Sequence, residues 1–232
     1  MAKNFYVIIP AYNEAKYIGR VIKKVKKYSK NIIVVDDGSK DRTYDIAKNS
    51  GVKAIRHIVN LGKGAALKTG CEYALRKNAD EIIVIDADGQ HEPKEIPRFL
   101  SELRKNDIVF SYRKRYGKIP FVLRLGNYFI NLAIRALYGV KLRDTQCGFR
   151  AFKAEVYRKL RWNSQDYSVE SEMIANTGKH KLKYSEIPIE TIYSDKYKGT
   201  GVLEGIQIVF KLFWWKTAYV FRWIGKIIRG KN

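Results

Sequence analysis

Two runs that are apolar at every position constrain the fold more than any other feature of this sequence. Ile32-Ile33-Val34-Val35 and Ile82-Ile83-Val84-Ile85 contain no polar residue, whereas a strand with one face in water alternates apolar and polar side chains. Continuous runs of this kind are typical of parallel strands that helices cover on both faces. The sequence therefore predicts an open α/β sheet, mostly parallel, with helices on both faces.

The N-terminal half alternates short β-branched segments with helical ones, as repeated β-α-β units do. The predicted strands span residues 5–10, 31–36, 52–57 and 81–86, with a later one over 182–192, and the predicted helices span residues 14–27, 41–49 and 64–77. At 232 residues and 46% hydrophobic composition, the chain can bury one sizeable core. We expect one main domain.

Two further segments are long and amphipathic. Residues 119–138 are apolar except at four positions spaced three or four residues apart, which share one helical face: Arg124, Asn127, Asn131 and Arg135. Residues 203–229 carry basic and polar side chains on one face and aromatic ones around the rest. Neither segment has an uninterrupted 18-residue apolar run, so we expect both helices to lie in a membrane interface. Packing in the core or in an oligomer interface is the alternative, and homo-oligomerisation stays open.

The chain is strongly basic, with 45 Lys and Arg against 23 Asp and Glu and a formal charge of +22. This charge predicts attraction to anionic lipid, phosphorylated substrates or nucleic acid. Nucleic-acid binding is disfavoured, because the basic residues are spread along the chain and no known binding module is present. No nucleic-acid partner is expected, and an anionic membrane surface is.

The cysteines and the N-terminus bear on the compartment. Cys71 and Cys147 are too few for a disulfide framework and lack zinc-ligand spacing, which fits a reducing compartment. The first apolar run ends at Pro10 after five residues, too few for a secretory signal. We therefore expect a peripheral protein at the cytoplasmic face of the membrane, without a signal peptide.

Polar clusters follow the predicted strands and should meet at one edge of the sheet. Asp86 and Asp88 are two carboxylates at i and i+2 where a buried strand ends, an arrangement that suits a hard divalent cation bridging a diphosphate, and Gln90 adds an oxygen. Magnesium or manganese would be the ion. The alternative is that the aspartates only cap a turn. Asp36 and Asp37 are equally open between a nucleotide contact and a turn.

Lys63 lies in Gly62-Lys63-Gly64, which resembles part of a phosphate-binding loop without completing a nucleotide-triphosphate motif. We predict that this lysine approaches a phosphate.

Five ordered motifs together resemble the family-2 glycosyltransferases, and within them most closely the dolichyl-phosphate mannose synthase group. The motifs are Ile9-Pro10-Ala11-Tyr12-Asn13-Glu14, Val35-Asp36-Asp37-Gly38-Ser39-Lys40-Asp41, Asn60-Leu61-Gly62-Lys63-Gly64, Asp86-Ala87-Asp88-Gly89-Gln90 and Asp144-Thr145-Gln146-Cys147-Gly148-Phe149-Arg150. The resemblance spans roughly residues 5–188 and implies an inverting transferase with a GT-A fold. We expect a catalytic domain over residues 1–200, which includes the amphipathic helix near 119–138, and an amphipathic, membrane-associated region over 201–232.

The resemblance also implies a division of the site. The nucleotide would contact Pro10, Tyr12, Glu14 and Asp37, with Lys63 and Asp86 at its phosphates; the metal would bind Asp86, Asp88 and Gln90; and Arg124 with Arg143 or Arg150 would face the acceptor. The catalytic candidates are Asp88, Glu172 and the same three arginines, Arg124, Arg143 and Arg150. Glu170 and Glu172 are candidates either for orienting a substrate or for pairing with the arginines.

A polyprenyl-phosphate acceptor, such as dolichyl phosphate, accounts for the arginines and the amphipathic helices together. Its phosphate is already an anionic nucleophile, so the reaction needs positioning and charge neutralisation more than a general base. Residues with donors for that phosphate are Arg113, Arg115, Arg124 and Asn127. We predict transfer of one mannose, glucose or N-acetylglucosamine from a GDP- or UDP-sugar, with a glycan or protein acceptor as the alternative.

One segment departs from the resemblance. Residues 193–201 replace the Arg-x-x-Gly-x-Ser-Lys type of loop that many lipid-phosphate mannosyl enzymes carry, so the donor sugar stays open. The loop is expected to close over the site. The Gln-x-x-Arg-Trp motif of processive synthases is also missing at Arg161-Trp162, which favours transfer of a single sugar.

Overall fold

The computed structural model describes residues 3–114, 121–166, 168–190, 192 and 206–218, with the side chains of the second range given from residue 128 onward. Seven strands form one sheet: β1 (Phe5–Ala11), β2 (Ile32–Asp36), β3 (Lys53–Arg56), β4 (Glu81–Val84), β5 (Ile108–Arg113), β6 (Arg150–Lys153) and β7 (Tyr184–Ile189). Their order across the sheet is β3-β2-β1-β4-β6-β5-β7. Only β6 pairs antiparallel with its neighbours, β4 and β5, so the sheet is mostly parallel.

The helices alternate with these strands. Seven α-helices are bounded as α1 (Ile18–Val25), α2 (Thr43–Asn49), α3 (Lys63–Arg76), α4 (Ile96–Leu103), α5 (Phe121–Tyr138), α6 (Tyr157–Leu160) and α7 (Val169–Lys179). Two 3₁₀ turns, Pro93–Glu95 and Ala154–Val156, precede α4 and α6. Residues 206–218 are also helical, and we name this stretch α8.

The sheet separates two hydrophobic cores, because alternate residues of each strand face opposite sides. One core joins residues such as Ile8 and Ile82 to helices α3, α5, α7 and α8. The other joins their neighbours Val7 and Ile83 to α1 and α4. All five residues of β2 and all four of β4 are buried. The prediction of an open, mostly parallel sheet covered by helices on both faces is confirmed.

The structure also differs from the sequence-based expectation in the C-terminal half. Strands β5 and β6 and helices α4 and α7 were not predicted, because their apolar runs are short and β6 returns antiparallel beside β4. Helix α8 packs on the core through Ile208 and Leu212, and its backbone at Leu212 accepts a hydrogen bond of 2.7 Å from the Tyr138 hydroxyl. Among the described residues, no helix is long and apolar enough to cross a bilayer.

The order of the strands opens a crevice beside β1. The chain crosses from β1 to β2 and β3 on one side, then returns to place β4 on the other side of β1. The carboxyl ends of β1 and β4 are therefore adjacent where the strand order reverses, and ligands of open α/β sheets bind at such a point. Asp37 continues the ladder briefly, since its amide donates to the Ala11 carbonyl.

We predict that Phe152→Ala lowers the free energy of unfolding by about 3–5 kcal/mol. Phe152 lies on the interior strand β6, is fully buried and stacks on Tyr157 at a ring distance of 6.4 Å, so truncation leaves a cavity in the core. Urea unfolding measures the change. The matched control is Ile58→Ala, at a fully exposed side chain, which should change stability by less than about 0.5 kcal/mol. Equal losses in both variants would contradict the placement of Phe152.

Candidate active site

A cleft of about 630 Å³ opens at the carboxyl ends of β1, β2 and β4. Its lining includes every residue predicted for the nucleotide and the metal: Pro10, Tyr12, Glu14, Asp37, Lys63, Asp86, Asp88 and Gln90. Arg113 and Glu170 also line it. Gln146, Cys147 and Gly148 line it as well, so all five motifs of the sequence meet in one concave surface. The reason is that the carboxyl ends of the parallel strands and the start of the antiparallel strand β6 lie at the same edge of the sheet.

Lys63 links two acidic side chains at the centre of this cleft. Its ammonium lies 2.8 Å from Oδ1 of Asp86 and 2.7 Å from Oε1 of Glu170. Asp86 follows β4, Lys63 is the first residue of α3, and Glu170 is the second residue of α7. Three elements therefore converge on one ion-paired cluster, which we call the Lys63 bridge.

The electrostatics of the Lys63 bridge follow from its burial. Burial acts to lower the pKa of Lys63, but the charges of Asp86 and Glu170 outweigh it and raise that pKa above its usual value. Burial acts to raise the pKa of Asp86, yet Lys63 and His91 hold it well below the usual range. Burial and the nearby charge of Asp86 raise the pKa of Asp88. Lys63 and Asp86 are thus both ionised at neutral pH.

The residues after β4 fit a divalent cation. Asp86 and Asp88 are close enough for their charges to repel, and a hard cation with oxygen ligands relieves such repulsion. Gly148 leaves room beside them, since a Cβ there would lie 2.2 Å from Oδ2 of Asp86. Within the part of the chain that is described, no three His, Cys, Asp or Glu side chains surround one point. The protein would thus supply two carboxylates and Gln90, and a bound diphosphate would supply further oxygens.

Asp37 lines the cleft, but its carboxylate accepts hydrogen bonds from the loop before α3. Its Oδ1 accepts from the Leu61 amide at 3.0 Å and lies 2.7 Å from Nδ1 of His57, while its Oδ2 accepts from the Gly62 amide at 2.7 Å. Both oxygens therefore hold the backbone that presents Lys63. These contacts are a scaffold role that neither interpretation of Asp37 included, and a direct nucleotide contact stays a prediction.

Residues 162–166 form a brace behind the Lys63 turn. Trp162 donates from Nε1 to the Gly64 carbonyl at 2.8 Å, and the Gly64 amide donates to the Gln165 carbonyl at 2.7 Å. The fit is tight at Gly62, whose φ of +94° favours glycine and where a Cβ would lie 2.3 Å from the Gln165 oxygen. The brace thus fixes where α3 begins.

Glu172 was expected at the substrate or beside the arginines, and the structure places it behind the brace instead. Its carboxylate accepts from the backbone amides of Asn163 at 3.0 Å and Ser164 at 2.9 Å, and from the Ser164 hydroxyl at 2.6 Å. Glu172 does not line the cleft. The correction has a simple cause: on α7 it points away from Glu170, because residues two apart differ by about 200°.

Two predicted arginines also need correction. Arg150 is fully buried beneath the cleft, where it donates to the carbonyls of Cys147 at 2.7 Å and Glu170 at 3.3 Å. Arg143 is exposed and lies over the Tyr112 ring, 4.7 Å from its centroid. Neither side chain lines the cleft. Burial beneath the cleft gives Arg150 a role in packing, whereas an acceptor contact of Arg143 stays a prediction.

Arg113 is the predicted phosphate ligand that does reach the cleft. It is the last residue of β5, is buried, and donates two hydrogen bonds to the Asp144 carboxylate, from Nε at 2.7 Å and from Nη2 at 3.1 Å. Arg115 lies outside the described residues, and so do the side chains of Arg124 and Asn127 on α5. Those three assignments stay predictions, and the expected closing loop over residues 193–201 lies outside the described residues as well.

Some residues of the cleft had no place among the predicted ligands. Glu170 was weighed only as one of two acidic candidates, and His91, Gln146 and Asp166 were not singled out. His91 lies 3.5 Å from Asp86. It directly follows the predicted metal motif in the sequence, and this proximity was the one signal that could have placed it at the site. Asp166 had no such signal.

Comparisons with known proteins agree with this geometry. The model of the family described as Glycosyl transferase family 2 matches residues 6–161. A UDP-N-acetylglucosamine–dolichyl-phosphate N-acetylglucosaminyltransferase of Methanococcus voltae is 34% identical over 94% of this chain and 98% of its own. An undecaprenyl-phosphate mannosyltransferase of Micrococcus luteus is 27% identical over 94% of this chain and 95% of its own.

A solved structure shares the fold. Glucosyl-3-phosphoglycerate synthase from Mycobacterium tuberculosis, in complex with Mn²⁺, UDP-glucose and phosphoglyceric acid, superposes with a TM-score of 0.73 at 22% identity. The match covers 91% of this chain and 80% of that one. The predicted GT-A type of α/β fold is thereby confirmed.

We predict that Gly148→Ala lowers the free energy of unfolding by about 1–3 kcal/mol and weakens Mn²⁺ binding. The new methyl group would lie 2.2 Å from Asp86 and would push that carboxylate out of place. Urea unfolding and Mn²⁺ titration measure the two effects. In an Asp86→Ala background the same substitution should cost less, because the clashing oxygens are gone. An equal cost in both backgrounds would contradict the close approach.

Proposed function

The chain belongs to glycosyl transferase family 2, and from that premise we propose that it transfers one sugar from a nucleoside-diphosphate sugar to a polyprenyl phosphate. The observation that carries the proposal is the convergence of Lys63, Asp86 and Asp88 in one cleft with the loops after β1 and β2. The family membership makes the protein a glycosyltransferase. The acceptor and the donor are our inference.

The donor side of the proposal rests on the charges of the cleft. A nucleotide diphosphate placed over Asp86 and Asp88 would need a divalent ion, Mg²⁺ or Mn²⁺, which supplies Lewis-acid stabilisation of the departing diphosphate. Lys63 adds a fixed positive charge beside it. Tyr12 and Glu14, at the end of β1, line the same cleft where the nucleoside would lie.

The acceptor side rests on what a phosphate nucleophile requires. A phosphate monoester is already ionised at neutral pH, so orientation and charge neutralisation are sufficient and no strong base has to remove a proton. Arg113 lines the cleft and presents a guanidinium fixed by Asp144. The two relatives named above act, by their names, on dolichyl and undecaprenyl phosphate. They transfer different sugars, N-acetylglucosamine and mannose, so our proposal covers GDP- and UDP-linked hexoses.

A lipid acceptor has to be met at a bilayer, and we propose that α5 and α8 lie on its surface. α8 buries Ile208 and Leu212 and exposes Phe210 and Trp214. α5 likewise buries Ile130 and Ile134, and the exposed apolar side chains of its described part include Tyr128, Phe129 and Leu132. A net charge of +22 favours anionic lipid over a neutral apolar partner. The cytoplasmic face and the peripheral attachment belong to the same proposal.

We predict that the protein converts a labelled sugar nucleotide into an organic-extractable product when polyprenyl phosphate and Mg²⁺ or Mn²⁺ are present. UDP-N-acetylglucosamine, UDP-glucose and GDP-mannose are the donors to screen. Asp88→Ala should lower the rate by at least about a hundredfold, because it removes a carboxylate at the diphosphate site. Asp45→Asn, at an exposed acid of α2, should leave the rate unchanged. Label that enters only a glycan or protein would refute the lipid acceptor.

We predict that Phe210→Ser combined with Trp214→Ser weakens binding to phosphatidylglycerol vesicles by about tenfold or more. Each side chain is more than 70% exposed, so each can bury a large apolar area in lipid. Vesicle sedimentation measures the binding. The control is Tyr28→Ser, an exposed aromatic residue after α1 on the other face of the sheet, which should bind like the parent. Equal binding of all variants would show that another surface meets the membrane.

A further inference from the structure

We propose that Glu170 is a positioning residue that keeps Lys63 beside the diphosphate site when a divalent cation takes up Asp86. The inference rests on the proposed function only in requiring that a divalent cation and a nucleoside diphosphate bind in the cleft. No assignment from the sequence gave Glu170 a defined role, and it does not act on the reacting atoms itself.

The geometry shows Lys63 shared between two anions. Its ammonium is almost equidistant from Asp86 and Glu170, at 2.8 and 2.7 Å. The Glu170 side chain is only 6% exposed, and its second oxygen, Oε2, is buried without a hydrogen-bond partner among the described residues. Burying a carboxylate oxygen without a hydrogen-bond partner is costly, and the ion pair between Oε1 and Lys63 is the described contact that offsets this cost.

The position of each charge on its helix supports this reading. Lys63 is the first residue of α3, where the helix dipole disfavours a cation. Glu170 lies in the first turn of α7, where the dipole favours an anion, and Arg150 donates to its carbonyl from below. The anion is therefore held at a favourable place, and the cation at an unfavourable one.

In our proposal, Glu170 holds Lys63 in place when a divalent ion binds Asp86. The ion and the ammonium of Lys63 are both cations, and with Asp86 as the sole shared anion they would compete for it. With Glu170 present, the lysine keeps one anionic partner after Asp86 turns to the metal. Three carboxylates and one ammonium also leave the cluster of Asp86, Asp88, Glu170 and Lys63 with two formal negative charges, which matches a divalent ion.

Binding measurements with opposite expected signs test the proposal. In Glu170→Gln, we expect the dissociation constant for Mn²⁺ alone to rise by at least about tenfold, because Lys63 then competes for Asp86. Metal-free binding of UDP and GDP in EDTA should instead become several-fold tighter, since the lysine has lost an anion that competes with phosphate. Electron paramagnetic resonance measures the free Mn²⁺, and calorimetry measures the nucleotides.

Two further variants keep the test decisive. Lys63→Met should show the reverse pattern, with tighter Mn²⁺ binding and weaker metal-free nucleotide binding. The double variant Lys63→Met with Glu170→Gln should return Mn²⁺ binding close to that of the parent, because the net charge of the cluster is restored. The control is Glu72→Gln, which removes one negative charge from the same helix α3 as Lys63, at a surface ion pair between Glu72 and Arg161. It should change neither Mn²⁺ binding nor metal-free nucleotide binding.

The outcomes separate positioning from mere structural support. If Glu170→Gln weakens both Mn²⁺ and metal-free nucleotide binding, or changes neither, the proposal is overturned. A failure of the double variant to restore Mn²⁺ binding overturns it as well. These measurements contain no acceptor, so a protein that transfers nothing to polyprenyl phosphate would refute the proposed acceptor and leave this result to stand on its own.

Discussion

The burial of β1, β2 and β4 on both faces is the constraint on which the rest of the structure depends. Helices cover each side of these strands, so no polar side chain is tolerated along their central residues. Polar groups can occur only where the strands end, and the parallel direction brings those ends to one edge. The cleft is thus a direct consequence of how the core is packed, and the motifs that line it are separated in sequence because the strands are.

The position of Lys63 in the cleft is set by hydrogen bonds to the backbone on either side of it, rather than by the side chains that face the ligand. Asp37 holds the loop before α3 from one side, and the brace of residues 162–166 holds Gly64 from the other. Glu172 in turn holds the brace through two backbone amides. Several acidic residues near the site are therefore committed to the scaffold. What remains for a donor is a small set of charges whose places are fixed before any ligand binds.

The sequence was sufficient to predict five of the seven described strands and the half of the site that lies at their carboxyl ends. Asp86 and Lys63 could be found because an uninterrupted apolar strand or a glycine turn marks the chain just beside them. The direction in which a side chain points could not be found in the same way. Glu170 and Glu172 are two positions apart and chemically identical, yet one faces the cleft and the other the brace, since α7 turns by about 200° between them.

Arg150 was misjudged for a related reason. A charged residue in a motif suggests a ligand contact, but β6 runs antiparallel into the centre of the sheet and carries this guanidinium under the floor of the cleft. The pairing of β6 between β4 and β5 joins residues that are far apart in the chain, which local periodicity does not encode. Non-local pairing therefore accounts both for the unpredicted strand β6 and for the wrong placement of Arg150.

The same helix that presents aromatic residues outward also touches the wall of the cleft. Lys211 of α8 lies 2.7 Å from Asp166, which lines the cleft and belongs to the brace, while Phe210 beside it is exposed. A surface ion pair of this kind contributes little stability, about 0–1 kcal/mol. The ion pair of Lys211 and Asp166 thus connects the helix proposed to meet lipid with the brace behind Lys63. An acceptor phosphate arriving along α8 would then meet the donor side of the cleft without crossing the sheet.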